Sequence, residues 1–509
     1  MGDTLSDRYS RQRGLIRQNI LRDLNVHCDR NLLPESFCDA MDLLGEHLGV
    51  KESGGNSEDV FEVIWSEGQG LPNERTTIVV GYGSNGIFLN DSDHGEKVSS
   101  IYEPAISTIA ACMVWSEILR RSGAYLPIEV PKVSVSVNVR VNENSLYTNA
   151  SQLKFSIDGH TVHQNIRDTN DSTAHRRVLL RLSDDDPIMQ QLRDRLRIEG
   201  HNEDVTSKFP SLNFQLPKIP SSLEGHLTIV GVGGLGTWCL HTLVEGLQQL
   251  DSSDVSFLIF DKDMEVEEHN LNRQVIYSHE DIGSTKISAT RRWLSKRLKN
   301  SKIELAYELT DAMAEDEFRE SDDGIDLADL YSGESNQDSI DVLGVQDVIN
   351  RFHQTDMIVG CLDAMRPRVL ADYIATKHNI PYVNGGVANF SCEFSEFSSK
   401  TLVDKYGNHI AQKTTVSSCQ EDGDVPLASM VLTNAFVGAF QALSAIQRLA
   451  GNSTSTIKSV FWNAYTNEFA LSESDGILDR TSHTDRVRNS LWPNLDLSKM
   501  TQKEQQKLR

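Results

Sequence analysis

A chain of 509 residues exceeds what one hydrophobic core usually holds, and 39% hydrophobic with 24% charged residues is the composition of an ordinary soluble globular protein. A formal net charge of -24 argues against nucleic acid bound through its phosphates, because such binding needs basic surface that releases counterions. No apolar run approaches membrane-spanning length and the opening MGDTLSDRYSRQRG lacks the apolar core of a signal peptide, so the expectation is a cytoplasmic protein with no membrane partner.

The cysteines Cys28, Cys38, Cys112, Cys239, Cys361, Cys392 and Cys419 are scattered and form no CxxC pair, which fits reduced thiols and predicts no structural zinc. The chain opens with a polar cluster, Arg8-Tyr9-Ser10-Arg11-Gln12, on a short predicted helix. Helical patterning follows around Phe37 to Leu48, then a β-rich run at Thr76 to Val80, then a long apolar helix from Ala105 to Leu119. Between them GYGSNG, from Gly81 to Gly86, matches GxGxxG, but Ile87-Phe88-Leu89 follows at once, so these glycines predict a hairpin turn rather than a nucleotide site. Alternation from Pro131 to Ile157 predicts further strands, and Arg176 to Glu199 is charged and helical in pattern. Asn202 to Ser222 carries three prolines and little periodicity, as a linker does.

The second half begins with an apolar strand, Leu227 to Val230, then GVGGLG from Gly231 to Gly236, then a helix from Thr237 to Leu250. A second strand, Val255 to Phe260, ends in Asp261-Lys262-Asp263, and HNLNRQ follows from His269 to Gln274. Glycines at this spacing let backbone N–H groups approach phosphates at a helix N-terminus, and an acid ending the next strand can bind ribose hydroxyls. A simple dinucleotide site has no use for Asn270, Arg273, Gln274 and Lys286 crowded behind its second strand, whereas triphosphate chemistry does. After a helix to Leu298 and a strand near Ile303 to Leu309, Ala312 to Gln346 is an acidic insertion of a kind usually solvated. Met357 to Asp363 is a buried-type strand ending in an acid, placed where ligands bind in open α/β sheets. Pro381-Tyr382-Val383 with Gly385 and Gly386 reads as a strand and turn, Lys400 to Ser418 as a crossing loop, Leu427 to Ala450 as a long helix, and Phe461-Trp462 with NEFALSE as a closing hairpin. The tail from Ser472 to Arg509 is polar.

The GxGGLG turn, the DxD, NLNRQ and the lysine of IGSTK together resemble the ThiF/MoeB/ubiquitin-activating superfamily of adenylyltransferases. RYSRQ resembles the RYxRQ element of that superfamily, whose second arginine, here Arg11, reaches across an interface toward the ATP phosphates of a partner site. The element lies far upstream of the glycine turn, and this displacement implies a first, degenerate copy of the domain between them. The expected fold is therefore α/β with two Rossmann-like adenylation-type domains: 1–200 inactive, 201–222 a linker, 223–471 active with a mainly parallel sheet, and 472–509 a tail. One departure is that the loop from Asp263 to Asn270 is one residue longer than is usual for the family.

What the resemblance implies is an enzyme that uses ATP and Mg2+ to adenylate the C-terminal glycine of a ubiquitin-like protein and passes the acyl group to its own thiol, for a conjugating-type enzyme. The chain would act as a pseudo-dimer within one polypeptide. Arg273, Lys286 and Arg11 would neutralise the triphosphate, Gly231, Gly233, Gly234 and Gly236 would cradle it, and Asn270 and Gln274 would position phosphate or ribose. Asp261 or Asp263 would read the ribose and Asp363, followed by AMRPR with Arg368 as in the family's TDNxxxR element, would carry the metal. The alternatives are a sulfur-carrier adenylyltransferase without a thioester step and a silent scaffold that binds a ubiquitin-like protein. A NAD-dependent dehydrogenase is disfavoured, since no catalytic His or Tyr-Lys set follows.

For the thiol, Cys419 is the first candidate and Cys392 its competitor. SSCQEDG resembles the NCADGG-type segment of relatives whose crossover-loop cysteine accepts the acyl group, and Cys419 stands at the end of the crossing segment just before a helix. Glu421, Asp422 and Asp424 oppose its ionisation. Cys112 and Cys239, in apolar helices, are expected only to fill space.

Overall fold

The computed structural model describes residues 12, 15–50, 60–65, 76–89, 98–126, 133–141, 148–157, 160–165, 211–250, 252–263, 265–310, 313, 342–397, 400–407, 410–412, 430–451, 459–472 and 483–491. Arg11, Cys419, the acidic stretch 314–341 and the segment 176–199 lie outside them. The chain divides into two compact units, one of residues 1–126 with 209–509 and one of residues 127–208. The second unit contains the antiparallel strands β5 (Val133–Val141), β6 (Thr148–Ile157) and β7 (His160–Asn165), with a register shift at Asn138/Val139.

In the larger unit an eight-stranded sheet has the order β11-β10-β9-β12-β13-β14-β15-β16. Its strands β9 (Ser222–Val230), β10 (Ser252–Phe260), β11 (Ile303–Ala306), β12 (Met357–Gly360) and β13 (Tyr382–Val387) are parallel. The strands β14 (Ser391–Phe397), β15 (Ser459–Asn463) and β16 (Glu468–Ser472) continue it antiparallel. The parallel strands are apolar on both faces, as expected when helices cover both sides. Val230, Leu258 and Ile358 pack with Leu370 and Ile374 of the helix Met365–Lys377 on one side. On the other lie the helices Gly234–Leu247 and Val431–Leu449, which pack on each other. The strand order reverses between β9 and β12, each followed by a helix, and this is where open α/β sheets leave a crevice at the carboxyl ends of their strands.

A second sheet in the same unit runs β1 (Asn25–Cys28), β2 (Val60–Trp65), β3 (Thr77–Gly83), β4 (Gly86–Leu89) and β8 (Ser211–Asn213). The first three are parallel and the last two antiparallel. β3 and β4 are joined only by Ser84-Asn85, so GYGSNG is a hairpin, as its apolar sequel predicted. The helix Glu103–Arg121 is buried continuously from Ala105 to Leu119 because it packs on β3, on the helix Glu35–Leu48, and on the two helices beneath the large sheet. Asn467 Nδ2 donates to the Met113 carbonyl at 3.1 Å, and Ser116 donates to the Ala464 carbonyl, so the two sheets share one core.

Two local expectations are corrected. Gly385 and Gly386 do not turn; β13 runs through both. The glycine at 385 serves close packing, since a Cβ there would meet Leu235 and approach Gln441 Nε2 and Val437 Cγ1 at 2.9 Å, letting the helices Gly234–Leu247 and Val431–Leu449 lie against the strand. The tail is not merely polar: the helix Thr484–Leu491 buries Val487 and Leu491, one helical turn apart, against Met365–Lys377, and Arg366 donates to the Leu491 carbonyl at 3.0 Å. Among the described residues, no helix is long and apolar enough to cross a membrane.

Candidate functional site

Gly231 follows β9 with φ of +97°, a conformation that side chains resist, and a Cβ there would stand 2.6 Å from the Cys361 carbonyl oxygen. Gly236 faces the Gly231 carbonyl too closely for any side chain, and a Cβ on Gly234 would come within 2.5 Å of Asn434 Oδ1. These three glycines therefore let the turn fold on itself and on the neighbouring strand and helix. Gly233 differs, since a Cβ there would meet nothing within 4 Å. The helix that starts at Gly234 has no side-chain cap, so its first N–H groups are not used by a capping side chain.

Asp261 pins this turn. One carboxylate oxygen accepts from the Val232 N–H at 2.7 Å and the other from the Asp263 N–H at 2.9 Å. Burial pushes its carboxyl above the usual range, Lys286 draws it back down, the neighbouring Asp263 raises it, and the two N–H groups lower it. Lys286 is ion-paired with Asp263 and starts the helix Lys286–Arg297, which is capped by Thr285. The Tyr277 hydroxyl binds the turn to that helix, donating to the Val232 carbonyl at 2.9 Å and lying 3.0 Å from Thr290 Oγ1.

NLNRQ forms a buried loop behind the turn. Asn270 is turned inward, its Oδ1 accepting from the Glu267 N–H at 3.2 Å to close a short 3-10 helix, Glu268–Asn270. Arg273 is buried with its guanidinium donating to the His269 carbonyl at 2.9 Å and to Asn272 Oδ1 at 3.1 Å, and its Cγ is 3.5 Å from where a Cβ of Gly234 would be. Two buried atoms of the loop, Asn272 Nδ2 and Gln274 Oε1, have no hydrogen-bond partner. Such orphans are uncommon in buried positions unless a ligand or water completes them.

Across the crevice, Asp363 lies just beyond β12, whose pairing continues through the Cys361 N–H to the Val230 carbonyl at 2.8 Å. Asp363 is half-buried and joins no ion pair among the described residues. The Arg368 Nε donates to the Leu362 carbonyl at 2.8 Å, holding the turn that carries Asp363. The structure thus brings the glycine turn, Asp261, Asp263, Arg273 and Lys286 together at the carboxyl ends of β9 and β10, with Asp363 at the end of the adjoining β12. Among the described residues, no group of three or more His, Cys, Asp or Glu side chains could hold a metal ion.

Sequence reasoning did not single out Asn434 and Gln441. They are buried polar residues two turns apart in the helix Val431–Leu449, which also buries Thr433, Ser444 and Gln447. Gln441 Nε2 donates to the Gly360 carbonyl at 2.8 Å and its Oε1 accepts from the Cys361 thiol at 3.2 Å, so it fixes the end of β12. Their spacing of seven residues on one helical face was the available signal. Trp238, which donates from Nε1 to the Arg273 carbonyl at 3.0 Å, gave no sequence signal beyond following the glycines.

The profile of the ThiF family matches residues 217–476, and the chain belongs to that family. No curated protein sequence matches it. Among solved structures it is similar to E. coli MccB with MccA-N7isoASN, at 17% identity over 49% of this chain and 64% of that one, with a TM-score of 0.32. It is also similar to PaaA, at 14% identity over 49% and 72%, with a TM-score of 0.35, and to E. coli MccB with ATP, at 17% identity over 50% and 65%, with a TM-score of 0.31. This chain spans less than two thirds of the MccB chains, and likenesses this distant assign it no activity.

Proposed function

We propose that this chain binds Mg-ATP at the glycine turn and adenylates the C-terminal carboxylate of a ubiquitin-like protein, then takes the acyl group onto its own cysteine for transfer to a conjugating-type enzyme. The observation that carries the reading is the gathering of an uncapped helix N-terminus, Arg273 and Lys286 at the switch point of a mainly parallel sheet, with Asp363 ending the strand beside it. Among the described residues no atom comes within 4 Å of where a Cβ on Gly233 would stand, which leaves room for a phosphate to approach the backbone.

Mg-ATP supplies the α-phosphorus on which the carboxylate closes and the pyrophosphate that leaves. Arg273 and Lys286 offset the negative charge that develops there, the more effectively because both are buried and already oriented. Asp363, with no competing cation among the described residues, is the acid suited to magnesium, which commonly takes one or two carboxylates along with substrate phosphates. Both oxygens of Asp261 are occupied by backbone N–H groups, so Asp261 shapes the turn and the more exposed Asp263 is left to meet the ribose. Gln274 Oε1 and Asn272 Nδ2 are the buried groups a bound nucleotide or its water would complete. Arg11 would join the phosphates from the N-terminal segment.

The test is exchange between ATP and radiolabelled pyrophosphate with the purified chain and candidate glycine-ended ubiquitin-fold proteins. Exchange that depends on one of them supports the reading. Binding of Mg-ATP without exchange in the presence of any would favour the silent scaffold, and exchange with no thiol-sensitive adduct would favour the sulfur-carrier reaction.

A further inference from the structure

His47, at the end of the helix Glu35–Leu48, reaches a loop that lies 224 residues further along the chain. Its Nδ1 stands 2.9 Å from the Leu271 carbonyl oxygen, and because a carbonyl can only accept, the proton is on Nδ1. The ring is edge-on to Trp238, with centroids 5.9 Å apart, and Trp238 in turn donates to the Arg273 carbonyl. Leu271 and Arg273 flank Asn272, so the two carbonyls on either side of that residue are held by two rings that touch each other. The His47 carbonyl accepts from Gln12 Nε2 at 3.0 Å, and Gln12 Oε1 accepts from Gln18 at 2.9 Å. Gln12 is the last residue of RYSRQ and is fully buried.

We infer that His47 is a positioning residue that couples the anchoring of Gln12 to the conformation of the NLNRQ loop. The inference rests on the proposed nucleotide site. Fixing the Leu271 carbonyl from one side and the Arg273 carbonyl from the other pins the 271–272 and 273–274 peptide planes that bracket Asn272 and Arg273, and so restrains the direction in which the Arg273 side chain leaves the backbone. Loss of the His47 donor leaves a buried carbonyl unpaired and frees that segment to relax. Gln12 keeps its bond to the main-chain carbonyl of residue 47, but that residue no longer reaches the loop. A histidine that merely filled the core would stabilise the fold without affecting the nucleotide.

The experiment measures Mg-ATP affinity by titration calorimetry, together with Tm, on the full chain, four single variants and the Gln12→Ala/His47→Leu double variant. His47→Leu should weaken Mg-ATP by about threefold to tenfold, the range that one net hydrogen bond is worth. His47→Asn, whose Nδ2 can stand where the imidazole Nδ1 stands, should recover affinity to within about twofold. Trp115→Phe removes a hydrogen bond to the Met41 carbonyl on the same helix without touching the loop, and should lower Tm while leaving affinity unchanged. Gln12→Ala should weaken binding in the wild-type background and add nothing to His47→Leu, the signature of two residues acting through one path. Wild-type affinity in His47→Leu, or affinity that falls in step with Tm across all the variants, would overturn the inference. A wild-type chain that fails to bind Mg-ATP at all would overturn the proposed function as well.

Discussion

The ammonium of Lys286, with its side chain 6% exposed, is ion-paired to the carboxylate of Asp263, which is 48% exposed. A buried cation facing a solvent-reachable acid is held ready without being locked away, because the acid can be hydrated or displaced while the lysine stays fixed by the helix it begins. Removing Asp263 would leave the buried ammonium unpaired, whereas removing Lys286 leaves an acid that water already reaches.

Lys286→Ala should therefore abolish pyrophosphate exchange, with a loss of at least about a hundredfold, as expected for removal of a charge aimed at a transition state. The fold should survive, because Thr285 and not Lys286 caps the helix. Asp363→Ala should have the same effect on exchange with less effect on stability, given that no ion pair holds it among the described residues. Circular dichroism alongside the exchange assay checks both, and a near-normal rate in either variant would remove that residue from its proposed role.

Gly385→Ala should destabilise the protein by about 1–3 kcal/mol, the usual range for overpacking a tight interior. The added methyl would strike Leu235, Gln441 and Val437 at the centre of the helix–sheet contact. Gly233→Ala should leave Tm within about 0.5 kcal/mol of wild type in free-energy terms, since it meets no atom, yet weaken Mg-ATP binding. Thermal denaturation with calorimetry on the two variants separates a glycine kept for the fold from one kept for a ligand.

These contrasts show what the sequence could and could not disclose. The glycine turn, the two strands ending in acids and the loop with Arg273 were legible because each is a local pattern, and a strand–turn–helix unit has few ways to fold. What was not legible depends on distant partners. Nothing near Gly385 announces that Leu235, Gln441 and Val437 come up against it, so a strand glycine was read as a turn. His47 is one polar residue on an amphipathic helix until Leu271 arrives from 224 residues away. The tail helix Thr484–Leu491 was hidden by its charged residues, since only Val487 and Leu491 reach the apolar cluster it docks on.

Stability should fall in mild acid through His241. It lies between Trp238 and Trp293, with ring centroids 5.9 and 6.4 Å away, and burial, Arg297 and then His47 lower its pKa from 6.5 to about 4. The folded state thus disfavours the charged ring while the unfolded chain accepts the proton readily. Stability is full above the unfolded value and declines as pH falls from about 6.5 toward about 4. The side chain is partly accessible, so the contribution is discounted to on the order of 1–2 kcal/mol. His241→Phe keeps an aromatic ring edge-on to Trp238 and tilted to Trp293 and should flatten that limb, so Tm measured at pH 7 and pH 5 should differ less in the variant than in wild type. An unchanged difference would mean that other groups carry the acid sensitivity.

The thiol that would accept the acyl group is narrowed by what burial does to the described cysteines. Cys392 lies in β14 between β13 and β15, is 3% exposed, and burial pushes its thiol well above the ordinary range, with nearby Cys112 adding to the rise. Cys361 is buried and donates its proton to Gln441, and burial raises it too. Cys112 and Cys239 sit inside helices and are raised by the same cause. A thiol must reach an activated carboxyl and be partly ionised to attack it, and burial opposes both for these four. Cys28 and Cys38 belong to the smaller sheet and its helix, and burial raises them as well. Cys419 stays the proposed acceptor because its SSCQEDG segment resembles the acceptor segment of relatives. Cys419→Ala should keep substrate-dependent pyrophosphate exchange and lose an adduct that thiols reverse on a non-reducing gel. Cys392→Ala should keep both, at a cost in stability of about 1 kcal/mol from the small cavity it leaves. An adduct that survives in Cys419→Ala and vanishes in Cys392→Ala would move the acceptor into the sheet, and would require β14 to open before the thiol could react.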